Sequence, residues 1–481
     1  MENVTIVYPG KKWIGATTPL LPPLSALPLA GVLEREGYKP GILDMRLEDY
    51  RKIDVGNQIC VGISAMTGSQ IKFGLKAAQY VREKDPEIPI VWGGIHPTLL
   101  PDQTLEDPSV DIVVRGEGEL TLLELVRTLE KGGKLEEVQG LSYREDGKMV
   151  NTPDRPFMNL DETYDLPYHL LKSLKEYHPE KVFYYTDGRG CPHRCTYCYN
   201  SAFCRSTWRT KSTSKILDEL TWAVETFKPE ALDFKEDNFF VSKKRIEEIC
   251  RGMVERGFDV TWHADCRVDY FRRFDKDFMD LIVKSGCHGL NLGGESGSQR
   301  VLDFVKKDIK VEETVDAIKK CREYGIQNLL FWIVGVPTET REEMLQTLKM
   351  VDLAYQLNPN SSSIVTLFSP YPGTPLFSYL GERYEMKIPK SLEGWGKWTV
   401  STAENAFWLD HKYAKQLEYI AICSRLISHN PTLKKEIGPL VKEILKTPFS
   451  TLSKLRWRKR YFGLPVDMAI WRQMQEVRGY F

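Results

Sequence analysis

Three cysteines crowd one short stretch, Gly188-Arg189-Gly190-Cys191-Pro192-His193-Arg194-Cys195-Thr196-Tyr197-Cys198-Tyr199-Asn200, separated by three and then two residues. Thiolates are natural ligands of iron-sulfur clusters and of zinc, and cysteines this close on a glycine-led loop can all turn towards one centre. Closed sites of either kind use four ligands, so a set of three leaves a coordination position open to a substrate or cofactor. A structural zinc site completed by Cys204, or thiols buried for packing alone, is the alternative.

Such a loop needs elements to hold it, and the sequence around it repeats a strand and a helix. Strands read at 182–186, 231–234, 260–264, 289–292, 328–334 and 363–368. Helical patterns at 244–256, 276–284, 312–324 and 342–357 fall between them, several stopped by glycine, and Ser212 or Thr213 stands ready to cap another. Six such units predict a parallel (βα)6 partial TIM barrel with its chemistry at the carboxyl ends of the strands. The cysteine loop follows the first strand. Asp233-Phe234-Lys235-Glu236-Asp237-Asn238 ends the second, Asp265-Cys266-Arg267 the third, Gly293-Gly294-Glu295-Ser296-Gly297 the fourth, and the run beginning at Ile333 the fifth.

The triad's spacing, with an aromatic (Tyr197) before its last cysteine, resembles the signature of the radical S-adenosylmethionine (SAM) enzymes. That resemblance implies a [4Fe-4S] cluster on Cys191, Cys195 and Cys198, SAM on the open iron, and one-electron cleavage of SAM to a 5'-deoxyadenosyl radical. It also implies SAM contacts from Tyr197, Gly293, Gly294, Glu295, Ser296 and Ile333, with Glu295 at the ribose. Arg267 is a candidate clamp for the SAM carboxylate, because a guanidinium meets a carboxylate with two parallel bonds. A structural ion pair is the other reading of Arg267.

The first 150 residues also alternate strands (4–8, 42–44, 59–64, 90–92, 111–114) with helices (23–36, 73–83, 119–131), which predicts a parallel sheet covered on both faces. Its strand ends carry Tyr8-Pro9-Gly10, Ser64-Ala65-Met66-Thr67-Gly68, Gly93-Gly94-Ile95-His96-Pro97 and Arg115-Gly116-Glu117-Gly118-Glu119. Small residues there leave room for a broad ligand, and the lack of G-x-G-x-x-G after the first strand argues against a dinucleotide. This half resembles the Rossmann-like cobalamin-binding domain fused ahead of some radical SAM enzymes. The resemblance assigns Tyr8, Ser64, Met66, Thr67, Gly93, Gly94, His96, Gly116 and Glu117 to cobalamin, carried as methylcobalamin. The D-x-H-x-x-G motif that gives many such domains a cobalt-ligating histidine is missing. His96 is the one histidine at a strand end, and the preferred reading makes it a hydrogen-bonding residue that leaves cobalt without a protein imidazole.

The expected organisation is α/β: a cobalamin-binding domain at 1–151, a linker at 152–182, a radical SAM partial barrel at 183–382 and a mainly helical C-terminal domain at 383–481. Helices are expected in the last part at 413–428 and 433–445, ahead of the basic aromatic run Leu455-Arg456-Trp457-Arg458-Lys459-Arg460-Tyr461-Phe462. That run is expected to lay its aromatics on its own protein, with substrate contact as the alternative, and the C-terminal region to cover part of the barrel mouth.

Across 481 residues, 66 basic and 66 acidic side chains cancel, so charge gives no reason to expect nucleic acid or an anionic membrane as the main partner. No apolar run is long enough to span a bilayer, and the ten cysteines lie mostly in apolar periodic segments, which points to a reducing, cytoplasmic setting. The resemblance implies an anaerobic methyltransferase acting on an unactivated carbon of a peptide, lipid or natural-product precursor, fed by an external one-electron reductant. No side chain is assigned to catalysis beyond the cofactors. Ring closure or carbon-carbon coupling is the alternative activity. A corrinoid-binding sensor is less favoured, since it leaves the triad idle.

Overall fold

The structure, a computed structural model, describes residues 3–11, 20–163, 166–386, 388–427 and 448–462. The helix expected at 433–445 lies outside the described residues.

The first sheet holds β1 (Val4–Tyr8), β2 (Pro40–Asp44), β3 (Cys60–Ser64), β4 (Ile90–Gly93), β5 (Ile112–Val114), β6 (Leu141–Glu145) and β7 (Lys148–Asn151), in the order β2-β1-β3-β4-β5-β6-β7. The first five strands are parallel, and the hairpin at the Asp146-Gly147 turn adds two antiparallel ones. Near-continuous apolar runs such as Val4–Tyr8 suit strands covered on both faces. Helix Ser69–Lys84 covers one face with Ile71, Leu75, Ala78 and Val81, while Gly118–Lys131 buries Leu122, Leu125 and Val126. The order turns back between β1 and β3, and that reversal opens a ligand crevice at the strands' carboxyl ends.

The second sheet is the expected six-stranded parallel wall: β8 (Val182–Tyr185), β11 (Ala231–Phe234), β12 (Thr261–Cys266), β13 (Cys287–Glu295), β14 (Gln327–Val334) and β15 (Ser361–Leu367). Neighbours in space are neighbours in sequence, and the wall stays open between β15 and β8, as in a partial barrel. Helix His411–Ile427 covers the β15 edge, where Ser424 Oγ accepts a bond from Val365 N at 3.0 Å. A row of backbone groups that would otherwise invite another strand is thereby occupied. One element was hidden in the sequence: β9 (Gly188–Gly190) pairs antiparallel with β10 (Trp208–Thr210), so a short ribbon frames the cysteine loop.

Within the C-terminal region, Trp408 Nε1 donates to Gly335 O at 2.9 Å and Ser401 Oγ to Leu367 O at 3.1 Å, at the carboxyl ends of β14 and β15, whereas residues 388–398 turn elsewhere. This stretch returns to the first half instead, where Trp395 is fully buried and donates through Nε1 to Gln103, and Gln103 Nε2 donates to Pro389 O at 3.0 Å. The basic aromatic run ends helix Pro448–Lys459 and lies on its own protein. Trp457 is buried with Nε1 2.7 Å from Asp352 Oδ1, Arg460 pairs with the same carboxylate, and Arg456 reaches Tyr419 OH at 2.9 Å. The segment between the sheets straps both: Tyr177 OH donates to Asp44 at 2.8 Å, and Thr163 O accepts from Lys215 Nζ at 2.6 Å. Among the described residues, no helix is long and apolar enough to cross a membrane.

Candidate active site between the two sheets

The cysteine loop is fixed from several sides. Gly190 has φ of 81°, and a Cβ there would stand 2.1 Å from Thr207 O, so no other residue fits. Its N–H donates to Asp237 Oδ2 at 3.0 Å, Thr196 N donates to Val305 O at 2.9 Å, and Thr196 O accepts from Leu376 N at 3.0 Å. Asn238 Nδ2 lies 3.5 Å from Cys191 Sγ and 2.9 Å from Tyr270 OH, which bonds His193 Nε2 at 2.8 Å. Arg267 Nη1 points at Cys195 Sγ from 3.9 Å. Burial pushes the Cys191 thiol up and the Cys198 thiol up to about 12, and a bound metal would favour the thiolate forms instead. Among the described residues, no group of three or more His, Cys, Asp or Glu side chains stands ready as ligands of a single metal ion.

The SAM candidates divide into two groups. Glu295 ends β13 with φ of 57°, a left-handed conformation costly for any residue but glycine, next to a register shift against β14. Its Oε1 meets Lys307 Nζ at 2.7 Å with both side chains buried. Burial alone would lower the lysine's pKa, yet Glu295 and then Cys195 hold it above its ordinary value. Tyr197 joins the pair, its phenol raised first by burial and then by Glu295. A Cβ on Gly293 would stand 2.5 Å from Glu295 Oε1, so that glycine keeps the carboxylate's approach clear. Of the other candidates, Ser296 is buried with Oγ 3.2 Å from Thr347 Oγ1, Gly294 lies against the Trp332 ring, and Ile333 is half-buried on β14. Arg267 takes the ion-pair form, bonded through Nε to Asp269 Oδ1 at 2.9 Å and through Nη2 to Lys307 O at 2.6 Å.

Sequence reasoning missed Lys307, which lies beyond a short helix with no spacing signal. It also missed Glu339, whose buried carboxylate accepts from Gly335 N and shapes the turn after β14, and which burial pushes to about 8. The one available signal was an acidic residue four places after a glycine at a strand end.

Between the carboxyl ends of the first sheet and the cysteine loop lies a cavity of about 370 Å³. Tyr8, Ser64, Met66, Gly93, Gly94, Gly116 and Glu117 line one side of it; Arg189, Gly190, Tyr199, Cys204 and Asp237 line the other. A third wall comes from Leu21, Pro22, Leu24 and Ser25, which precede helix Leu27–Arg35, although the helix was expected to begin at 23. Thr67 and His96 are not on the lining. His96 is 1 % exposed, bonds Thr67 Oγ1 through Nδ1 at 2.9 Å and sets its ring edge-on to Trp395 at 5.4 Å; burial lowers it to about 4, so the imidazole is neutral. Two arginines of the β9–β10 ribbon cross the junction. Arg209 meets Glu117 at 2.5 Å, and Arg189 meets Glu119 at 2.5 Å and Glu117 at 3.2 Å. With those carboxylates neutralised, the cavity presents mainly apolar and small residues. Gly94, at φ of 95° with Ala65 O 2.8 Å from where a Cβ would stand, shows how closely backbone crowds the sheet side. That is a fitting wall for a large flat macrocycle.

Residues 185–351 match the radical SAM superfamily and residues 11–126 the B12 binding domain. The chain is 33% identical over 378 residues to an uncharacterized methyltransferase of Pyrococcus horikoshii, spanning 77% of this chain and 80% of that one. It is 30% identical over 380 residues to the anaerobic magnesium-protoporphyrin IX monomethyl ester cyclase of Rubrivivax gelatinosus, spanning 76% and 67%. In fold it resembles the cobalamin-dependent S-adenosylmethionine radical enzyme OxsB solved with aqua-cobalamin and S-adenosylmethionine bound, at a TM-score of 0.71 and 18% identity, over 100% of this chain and 75% of that one. By these matches the protein belongs to the radical SAM enzymes that carry a B12-binding domain.

Proposed function

We propose that this protein is a cobalamin-dependent radical SAM methyltransferase acting on an unactivated carbon. The observation that carries the reading is a cavity with the crevice of the first sheet on one side and the cysteine loop's Arg189, Gly190 and Tyr199, with Cys204 just beyond it, on the other. Cys191, Cys195 and Cys198 would hold a [4Fe-4S] cluster, Tyr197, Gly293 and Glu295 would bind SAM, and the small strand ends of the first sheet would hold cobalamin. Bound there, these groups supply a carbon-centred radical and a transferable methyl group, while the protein binds and aligns them. The chain's part is positional. Lys307 holds the Glu295 side chain in place, Asp237 fixes both Gly190 N and Tyr199 OH, and Arg189 and Arg209 tie the ribbon to the first sheet so that its two sides keep their spacing.

Anaerobic purification with assay of iron, sulfide and cobalt, then SAM and reductant, tests the reading. Iron and cobalt bound together, with reductive SAM cleavage, are the expected result; a chain that binds cobalt but never cleaves SAM refutes it. A second reading, ring closure, is favoured by the identity to the Rubrivivax cyclase. Product mass decides between them: methyl transfer adds a methyl group, and ring closure does not.

A further inference from the structure

The cavity raises a question its histidine does not answer. Cobalamin held at the crevice between β1 and β3 would face the first sheet, yet His96 is buried beside Trp395, bonded to Thr67, and off the lining. Among the described residues of that wall, most of the polar side chains are already engaged. Ser64 Oγ donates to Ser25 Oγ at 3.2 Å, Gln70 Oε1 accepts from Met66 N at 2.8 Å, and Glu117 is held by Arg209 and Arg189. Tyr8 has its ring covered by the Arg46 guanidinium at 4.5 Å.

Met66 is the exception. It stands on the loop after β3, at the reversal of strand order, lines the cavity and is 43 % exposed, although the residue before it is 1 % exposed. An unbranched thioether left this open at a ligand crevice is out of place for packing, and its sulfur is a soft, neutral and weak donor. The Gln70 bond to its backbone N–H fixes the loop without touching the side chain.

We propose that Met66 is the residue this protein sets beneath the cobalt, its thioether facing the lower axial position that an imidazole would otherwise take. The inference rests on assigning the cavity to cobalamin. It gives Met66 a positioning role: the side chain excludes water from the lower face and offers the metal at most a weak sulfur.

The test loads wild type, Met66→His, Met66→Ala, Tyr8→Phe and His96→Ala with hydroxocobalamin anaerobically. Retained cobalt is measured, and each sample is reduced to the cob(II) state for electron paramagnetic resonance and visible absorption. In wild type no cobalt line should show the extra splitting of a directly bound nitrogen. Met66→His should introduce that splitting, because the new imidazole lies below the metal. Met66→Ala, the safer variant for folding, should retain cobalt and shift the cobalt hyperfine pattern as water enters, whereas His96→Ala should reproduce wild type and Tyr8→Phe should leave no nitrogen splitting. The inference is overturned if both Met66 variants retain cobalt with spectra that superimpose on wild type. It is also overturned if wild type shows nitrogen splitting that His96→Ala abolishes. Wild type that retains no cobalt would refute the assignment of the cavity as well, a result distinct from either of these.

Discussion

Lys307 Nζ lies 2.7 Å from Glu295 Oε1, and both charges are buried in the wall beneath the cysteine loop. Removing one partner of such a pair strands the other without solvent. Lys307→Met should therefore cost about 3 kcal/mol in denaturant unfolding. The double variant with Glu295→Gln should recover much of that loss, since no lone charge remains. A cost below about 0.5 kcal/mol for the single variant would show that the pair is not desolvated.

Cys191→Ala, Cys195→Ala and Cys198→Ala should each abolish the cluster's visible absorbance and SAM cleavage. Cys204→Ala should leave both largely intact, because Cys204 sits on the cavity lining outside the triad. Loss of the cluster in the Cys204 variant would instead favour a four-cysteine site.

Gly94→Val should lower retained cobalt several-fold. Its side chain would start 2.8 Å from Ala65 O on a backbone with φ of 95°, which displaces the loop that carries Met66. Cobalt assay after gel filtration reads the effect, and unchanged cobalt content would refute the placement of the cofactor.

Glu339 gives a pH dependence. Burial raises its pKa from 4.5 to about 8, so the folded state binds more protons than the unfolded state between those values. The stability linked to this carboxyl is full below about 4.5 and is lost as pH rises through about 8. Glu339→Gln should flatten that part of the stability profile, measured by denaturant midpoints across the range.

Trp457→Ala should cost about 3 kcal/mol or more, for a buried aromatic whose indole N–H bonds Asp352, whereas Arg458→Ala should change thermal stability little. Turnover lost in the Arg458 variant at unchanged stability would return the helix to a substrate role.

The strands and helices of both halves were legible because their apolar runs and glycine stops are local signals, and the six strand ends of the barrel could be numbered from them. What escaped the sequence depends on pairing between distant segments. The β9–β10 ribbon joins three-residue strands too short to show a period, and Glu117 with Arg209 meets across 92 positions. His96 was legible as a histidine at a strand end, but not its direction. That is set by Trp395, which arrives from almost the opposite end of the chain. The open thioether of Met66 likewise becomes visible only once β1 and β3 stand side by side.

The return of residues 388–398 has a consequence for how the chain is made. Helix Ser69–Lys84 leaves the ribosome early, yet part of its coat, with Gly396 set against Lys72, follows more than three hundred residues later. Until then the nascent amino-terminal half shows a bare hydrophobic flank, and Gln103 waits for the indole that will bond it. The corrin half is therefore not a portable module that can be excised at residue 151 and expected to stay in solution. It reaches its final form only when the barrel beyond it has been built.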